Sequence, residues 1–513
     1  MCSNLRQLAA FLTMAAMFIS CAGPQSAPEA ETQIDTRPPS KTEAVPSDEE
    51  ITSVITTKLY ADPLYSPDEV KVQTQKGVVT LSGTVDNLQE KNRAISSAKP
   101  IRGVRSIVDL LRVRPALRSD QQIRDDVRKS LKLDPSIESK DFTVRVYNGV
   151  VFLQGTVDSW IERSLVEFAA SRVTGVKEVQ DQVQVKFRFT RPDADIQKDI
   201  EGRLRADPWI AENLLSVQVR NGYAALSGTV GSLAALDRAD ASARISGVRS
   251  VDTHAVKVIP HPLHRYLSND PFLLQPDVQI KSAIHDAFRL DPRLDRSSIV
   301  VLVNSGVVEL TGQVRNLIAK NAAEETAWNT RGVVEVFTRL TVRPSSHRSD
   351  AKLRRDVLFA LGLDSLLSQE SIRVKADSGI VELQGRVSSP TLKRLAGQVA
   401  SQVQGVTAVQ NRLEVPLAST VSSPREDLLL KRRITRMLRW TPELEANDVI
   451  TTTVRNGKAE LSGIVSSWAE HRNATRIAFE AGAKTVLNSL KVREAPHASS
   501  RTFNYETSPP AQG

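Results

Sequence analysis

The chain has 513 residues, 40% apolar, 25% charged and 5% aromatic, with 68 basic against 59 acidic side chains and a net charge of +9. That length exceeds a single core, since domains usually run about 100–200 residues, and the apolar fraction excludes a wholly disordered chain. The two cysteines, Cys2 and Cys21, exclude a disulfide scaffold and any multi-cysteine metal site.

Arg6 is the only charge before a twelve-residue, mostly apolar run from Leu8 to Ile19. That length suits a signal-peptide core and is short for a bilayer span. The run ends in Phe18-Ile19-Ser20-Cys21-Ala22, which resembles the lipobox of bacterial lipoproteins, with Phe18 in place of the usual Leu. The resemblance implies a signal over 1–21 and lipidation of Cys21. The other reading is an ordinary secretory signal with an incidental cysteine. Residues 22–47 are rich in Pro, Ser, Thr and Glu and read as a disordered tether. Ala22 stands where some bacteria place the Asp that retains lipoproteins at the inner membrane, so the outer membrane is the expected destination.

One unit then recurs six times. VTLSGTV (79–85) returns as VFLQGTV (151–157), AALSGTV (224–230), VELTGQV (308–314), VELQGRV (381–387) and AELSGIV (459–465). The central glycines are Gly83, Gly155, Gly228, Gly312, Gly385 and Gly463. A second glycine precedes each by six residues, and a third follows by 19 or 20, from Gly77 and Gly103 to Gly457 and Gly482.

In unit 2, Ile123, Val127 and Leu131 recur every fourth residue and predict a helix closed by Pro135. Phe142, Val144 and Val146 alternate as a strand. Asn148-Gly149 predicts a tight hairpin turn into a second strand, Val150 to Val157. The mid-strand Gly155 reads as a place where a helix backbone packs close. Asp158-Ser159 predicts the cap of a second helix, Gly175 its left-handed end, and Val176 to Phe187 a third strand. The fold class is therefore α+β: tandem α-β-β-α-β units, each a mixed three-stranded sheet on two helices. The units span 48–114, 120–187, 193–258, 277–342, 350–415 and 427–492. A Pro-rich linker at 259–276 divides them into threes, and 494–513 reads as a disordered tail. Units of about 65–70 residues are marginal alone and gain by packing on neighbours. Six in line would reach roughly 150 Å.

These glycines, the V-x-L-x-G-x-V strand and the Gly-Val opening the last strand resemble the BON domain, a bacterial module of secreted osmotic-stress proteins and outer-membrane lipoproteins. Unit 6 departs with Gly482-Ala483, and units 5 and 6 lack the Asp-Pro that ends the first helix elsewhere. The resemblance implies an α-β-β-α-β fold, no catalysis, and association with phospholipid or the cell envelope.

Seven of the nine excess positive charges lie beyond residue 345, in units 5 and 6 and the tail. The first helix of unit 6, LLLKRRITRMLRW (428–440), sets Lys431, Arg432, Arg433, Arg436 and Arg439 around the apolar residues Leu430, Ile434, Met437 and Leu438. That stripe is needed to cover the unit's own sheet. The arginines and Trp440 are left as candidate membrane contacts, together with Trp209 of unit 3. The chain shows no phosphate loop, His-Glu-x-x-His or Gly-x-Ser-x-Gly. His254, His261 and His264 lack acidic co-ligands, and the Ser96-x-x-Lys99 spacing is not reproduced in other units. The expectation is a non-enzymatic, lipid-anchored periplasmic protein without cofactor, metal, small-molecule substrate or nucleic acid. It would bind anionic phospholipid or envelope proteins and maintain the envelope. The alternative is a periplasmic protein-binding scaffold or osmotic-stress, holdase-like protein.

Overall fold

The computed structural model describes residues 46–492, apart from 62–68, 115–117, 136, 138–141, 188, 211–213, 260–274, 295–298, 345–347, 417–422, 442–443, 445–449 and 466–467. The lipobox, the tether, most of the long linker and the tail lie outside the described residues. Among the described residues, twelve helices and eighteen strands repeat one order, helix–strand–strand–helix–strand, six times over. In unit 1 these are α1 (Asp48–Ala61), β1 (Val70–Gln75), β2 (Val78–Val85), α2 (Leu88–Ala98) and β3 (Ser106–Val113). The second strand of each unit is central, antiparallel to the first and parallel to the third. Both helices cover one sheet face. Each unit has its own core, such as Ile123, Val127, Val151, Leu153 and Val166 in unit 2.

The hairpin turns are type I′, with Asn148 and Gly149 at φ 49° and 78°. A clamp holds each turn. The Asp120 carboxylate, in the first turn of the leading helix, accepts from the Asn148 and Gly149 N–H groups at 2.8 and 2.9 Å. Asp48, Asp193, Asp277, Asp350 and Asp427 do the same in the other units. The Gly149 carbonyl in turn accepts from Lys177 N–H at 2.9 Å. Helix start, hairpin and third-strand entry are thus tied at one point.

The central glycines answer to a strand, not a helix, which corrects the expectation of close helix packing. Gly228 sits at φ +121°, and a Cβ there would lie 2.0 Å from the Leu214 carbonyl at the entry to the first strand. Gly83, Gly312, Gly385 and Gly463 share the positive φ. Gly155 does not, and among the described residues the nearest atoms to a Cβ there would be those of the Phe142 ring, from 2.7 Å.

The described residues form one compact unit in which the six repeats do not run in line. Unit 2 pairs with unit 5. The Thr174 N–H donates to the Leu363 carbonyl at 3.0 Å, and the Gln404 N–H donates to the Leu133 carbonyl at 3.2 Å. Leu133 and Leu363 end the two leading helices, and Thr174 and Gln404 precede the third glycines, so the junction has local two-fold symmetry. The same bond joins Arg102 of unit 1 to Trp440 of unit 6, at 3.1 Å, and Arg331 of unit 4 to Ala206 of unit 3, at 2.6 Å. The pairing 1–6, 2–5, 3–4 is nested, and the chain folds back between units 3 and 4.

Within the first half, the residue opening each second helix reaches the next unit. Leu88 of unit 1 enters the core of unit 2. Trp160 of unit 2 donates to the Val248 carbonyl of unit 3 at 2.7 Å. Leu233 of unit 3 packs on the core of unit 1, closing the ring. In the second half Arg472 of unit 6 stacks on Trp328 of unit 4, 3.4 Å from the ring centroid.

Two predictions follow from these contacts. Gly228→Ala should cost about 3 kcal/mol, since both the backbone conformation and a carbonyl oppose a side chain, whereas Gly155→Ala should cost about 1 kcal/mol. Denaturant melts of the full chain measure both. The second concerns Asp199 of unit 3. It is partly buried, which alone would raise its pKa, but Arg289 of unit 4 and Arg191 hold it below the usual 3.8. A depressed carboxylate stabilises the fold above its unfolded value and loses that contribution as pH falls through the folded one. The wild-type advantage over Asp199→Asn should therefore be full at neutral pH and shrink below 3.8, as read by thermal melts across acid pH.

Candidate functional surface

The leading helix of unit 6, Pro424–Trp440, begins with a capping box between Ser423 and Glu426 and buries Leu430, Ile434, Met437 and Leu438 in its own core. Its cations divide into distinct groups. Lys431 and Arg432 point to solvent, and no carboxylate pairs with them among the described residues. Arg436 and Arg439 are also exposed, but Arg436 donates to the Ser53 hydroxyl of unit 1 at 2.8 Å. Arg433 is turned inward and donates to the Ala481 carbonyl at 3.0 Å, and desolvation lowers its pKa.

Trp440 does not face solvent. It is 8% exposed and belongs to the core of unit 1, which covers the helix end that looks free in the sequence. Its assignment as a membrane anchor is therefore corrected. Trp209 is half-buried behind the buried Pro208, and its N–H donates to Asp207 at 2.8 Å. Cys21 lies outside the described residues.

Sequence order hides a second cationic surface. The leading helices of units 2 and 5, Asp120–Leu133 and Asp350–Leu363, pack together across their two-fold, with Lys129 over the Phe359 ring at 5.2 Å. Arg128 and Lys132 from one helix, and Lys352, Arg354 and Arg355 from the other, are exposed. No carboxylate pairs with these five among the described residues. Leu358, 37% exposed, lies on the same outer face of its helix as Arg354 and Arg355. The residues come from segments some 230 positions apart. Only the unit pairing could have revealed the surface.

A buried polar cluster lies where units 1, 2 and 5 meet. Asp364 is fully buried, 3.7 Å from the Arg172 guanidinium, and accepts from Gln89 Nε2 at 3.0 Å. Burial pushes the Asp364 carboxyl up, and the neighbouring Arg172 only partly opposes this. Arg172 also reaches Gln402 across the two-fold at 2.5 Å. The gap beside it measures about 20 Å³, room for one water and no substrate. The cluster is a structural junction.

Lys99 of the Ser96-x-x-Lys99 spacing pairs with Asp237 of unit 3 at 2.6 Å. His254 pairs with Asp252. Among the described residues no His, Cys, Asp or Glu group has the arrangement to hold a metal ion, and no helix is long and apolar enough to cross a membrane.

Six small sheets, each carrying two helices on one face, define a tandem α+β repeat protein. The BON domain matches residues 47–115, 119–186, 192–260, 276–344, 349–416 and 426–494, and the chain belongs to that family. It is 34% identical over 146 residues to the osmotically inducible protein Y of Escherichia coli, covering 26% of this chain and 72% of that protein. It is 30% identical over 115 residues to the outer membrane lipoprotein DolP of Haemophilus influenzae, covering 21% of this chain and 59% of DolP. A solved structure of CdsD, a structural protein of the type III secretion system of Chlamydia trachomatis, aligns with 44% of this chain and 94% of its own, at 18% identity and a TM-score of 0.12.

The two kinds of arginine on the unit 6 helix should separate in stability. Arg433→Ala removes a half-buried guanidinium and leaves a carbonyl unpaired, at a cost of about 1–2 kcal/mol. Arg432→Ala should stay within about 0.5 kcal/mol of wild type. Chemical denaturation of the two variants reads the difference.

Proposed function

We propose that this chain is a non-enzymatic cell-envelope protein that binds anionic phospholipid and helps maintain the envelope. The observation that carries this reading is the set of exposed cations, Arg128, Lys132, Lys352, Arg354, Arg355, Lys431 and Arg432, that no carboxylate among the described residues pairs with, on the leading helices of units 2, 5 and 6. Near an anionic membrane each is worth about 1 kcal/mol. The names of two relatives support an envelope location: one is an outer membrane lipoprotein, the other is osmotically inducible. Lipidation at Cys21 would supply the second attachment, since one acyl chain alone holds a protein only marginally. The protein would then sit in the periplasm, anchored at the outer membrane.

One observation favours a second reading, a periplasmic protein-binding scaffold. The open sheet face of unit 4 carries Val300, Leu302 and Phe337, each at least half exposed, where most other units place polar residues. Such a face suits an apolar protein segment better than a charged headgroup.

Flotation of the chain lacking residues 1–21 with anionic and neutral liposomes tests the first reading. Binding should require anionic lipid and weaken as salt rises. Arg354→Glu with Arg355→Glu and Lys132→Glu should reduce it at least tenfold, and Arg432→Glu with Arg436→Glu should reduce it further. A protein that floats with neither liposome would sink the proposal.

A further inference from the structure

The junction between paired units is a recognition event between BON domains. One unit offers the last carbonyls of its leading helix, which have no partner within that helix. The other offers the backbone N–H just before its third glycine. The donors are Arg102, Thr174, Arg331 and Gln404, four positions with three different side chains, so the shared element is the main chain.

Side chains then make each junction particular. Arg331 of unit 4 also donates from its guanidinium to the Asp207 and Ile210 carbonyls of unit 3, at 3.1 and 2.7 Å. Arg102 of unit 1 reaches the equivalent Leu444 carbonyl of unit 6 at 3.5 Å. A guanidinium at the negative end of a helix dipole is favourable, and burial strengthens it. In the 2–5 pair the place of this arginine is taken by Thr174 and Gln404, and the Arg172–Gln402 bond crosses the two-fold instead. A large apolar residue ending one helix of each pair meets the partner's core: Trp440 is buried in that of unit 1, and Leu133 and Leu290, partly buried, pack against those of units 5 and 3.

We propose that this helix-end junction is a docking mode by which one BON unit binds another, and that units 1–3 and 4–6 are interlocking halves held together by three such junctions rather than by the linker. The partner each half fits is another set of BON units whose leading helices end in open carbonyls and a large apolar residue. In this chain that partner is its own second half. The inference is independent of the lipid reading.

The test is a protease site placed within residues 260–274 of the full chain, cleaved in the folded protein. The two fragments should co-elute at micromolar concentration as one particle with the mass of the intact chain by native mass spectrometry. Arg102→Ala, Arg172→Ala and Arg331→Ala together should weaken the association at least 100-fold, so that the cleaved variant separates into two particles. Separation of the cleaved wild-type chain would overturn the proposal. So would a cleaved triple variant whose fragments hold together as firmly as the wild type. If circular dichroism shows the uncut triple variant unfolded, Arg102→Lys with Arg331→Lys takes its place. It keeps the charge but loses the planar guanidinium whose Nη2 reaches the carbonyls of units 3 and 6, and the same two outcomes apply.

Discussion

A helix cannot satisfy its own last carbonyls, and in this protein the leading helix of a unit solves the problem with another unit. The last turn of that helix is buried against its partner. Its carbonyls must therefore find donors within the protein or cost the desolvation of unpaired polar groups. The donors are backbone N–H groups and two arginines from the paired unit. The pairing of units follows from this. Each junction brings two leading helices together, about a local two-fold in the 2–5 pair, and nesting the pairs turns the chain back on itself between units 3 and 4.

The size of the unit explains why so much is invested between units. A cluster of fourteen to seventeen buried side chains among the described residues, some lent by a neighbouring unit, leaves little surplus over the entropy of ordering about 70 residues. Burying Trp440 in a neighbour's core adds on the order of 1.5–3 kcal/mol, and the partly buried Leu133 and Leu290 add less. The ring contacts of Leu88, Trp160 and Leu233 spread that support sideways. Losing a unit of the first half then removes a junction partner and two ring neighbours, so the array should unfold with more cooperativity than a chain of beads.

The single unit was legible in the sequence because its signals are local. Periodicity, the Asn-Gly turns and three glycines in register mark every helix and strand. The reason for the central glycine was misread, because the sequence shows that Gly228 interrupts a strand but not that the Leu214 carbonyl lies against it. The Asp clamp went unseen although its signal is present: an Asp stands 28–30 residues before the turn in all six units. The candidate surface was legible only in part. Arg432 is where a helical wheel puts it, but Trp440 looked free because its cover, unit 1, is nearly 400 residues away. The surface shared by units 2 and 5 depends on pairing alone, and no pattern along the chain announces pairing.

The buried cluster of Gln89, Arg172 and Asp364 shows what the pairing requires beyond affinity. A buried ion pair contributes little net stability, because removing both charges from water costs about what their attraction returns. Here the carboxyl pKa is raised even with the guanidinium beside it, so the desolvation is not fully recovered. What the cluster does supply is discrimination. Its three members come from units 1, 2 and 5, and a register that brought any other unit to this place would leave a charge buried without its partner, a penalty of several kcal/mol. Six similar units have many ways to pair through a junction made of main chain. A polar group that tolerates only one arrangement, together with an arginine at each of the other two junctions, selects the nested pairing over its competitors.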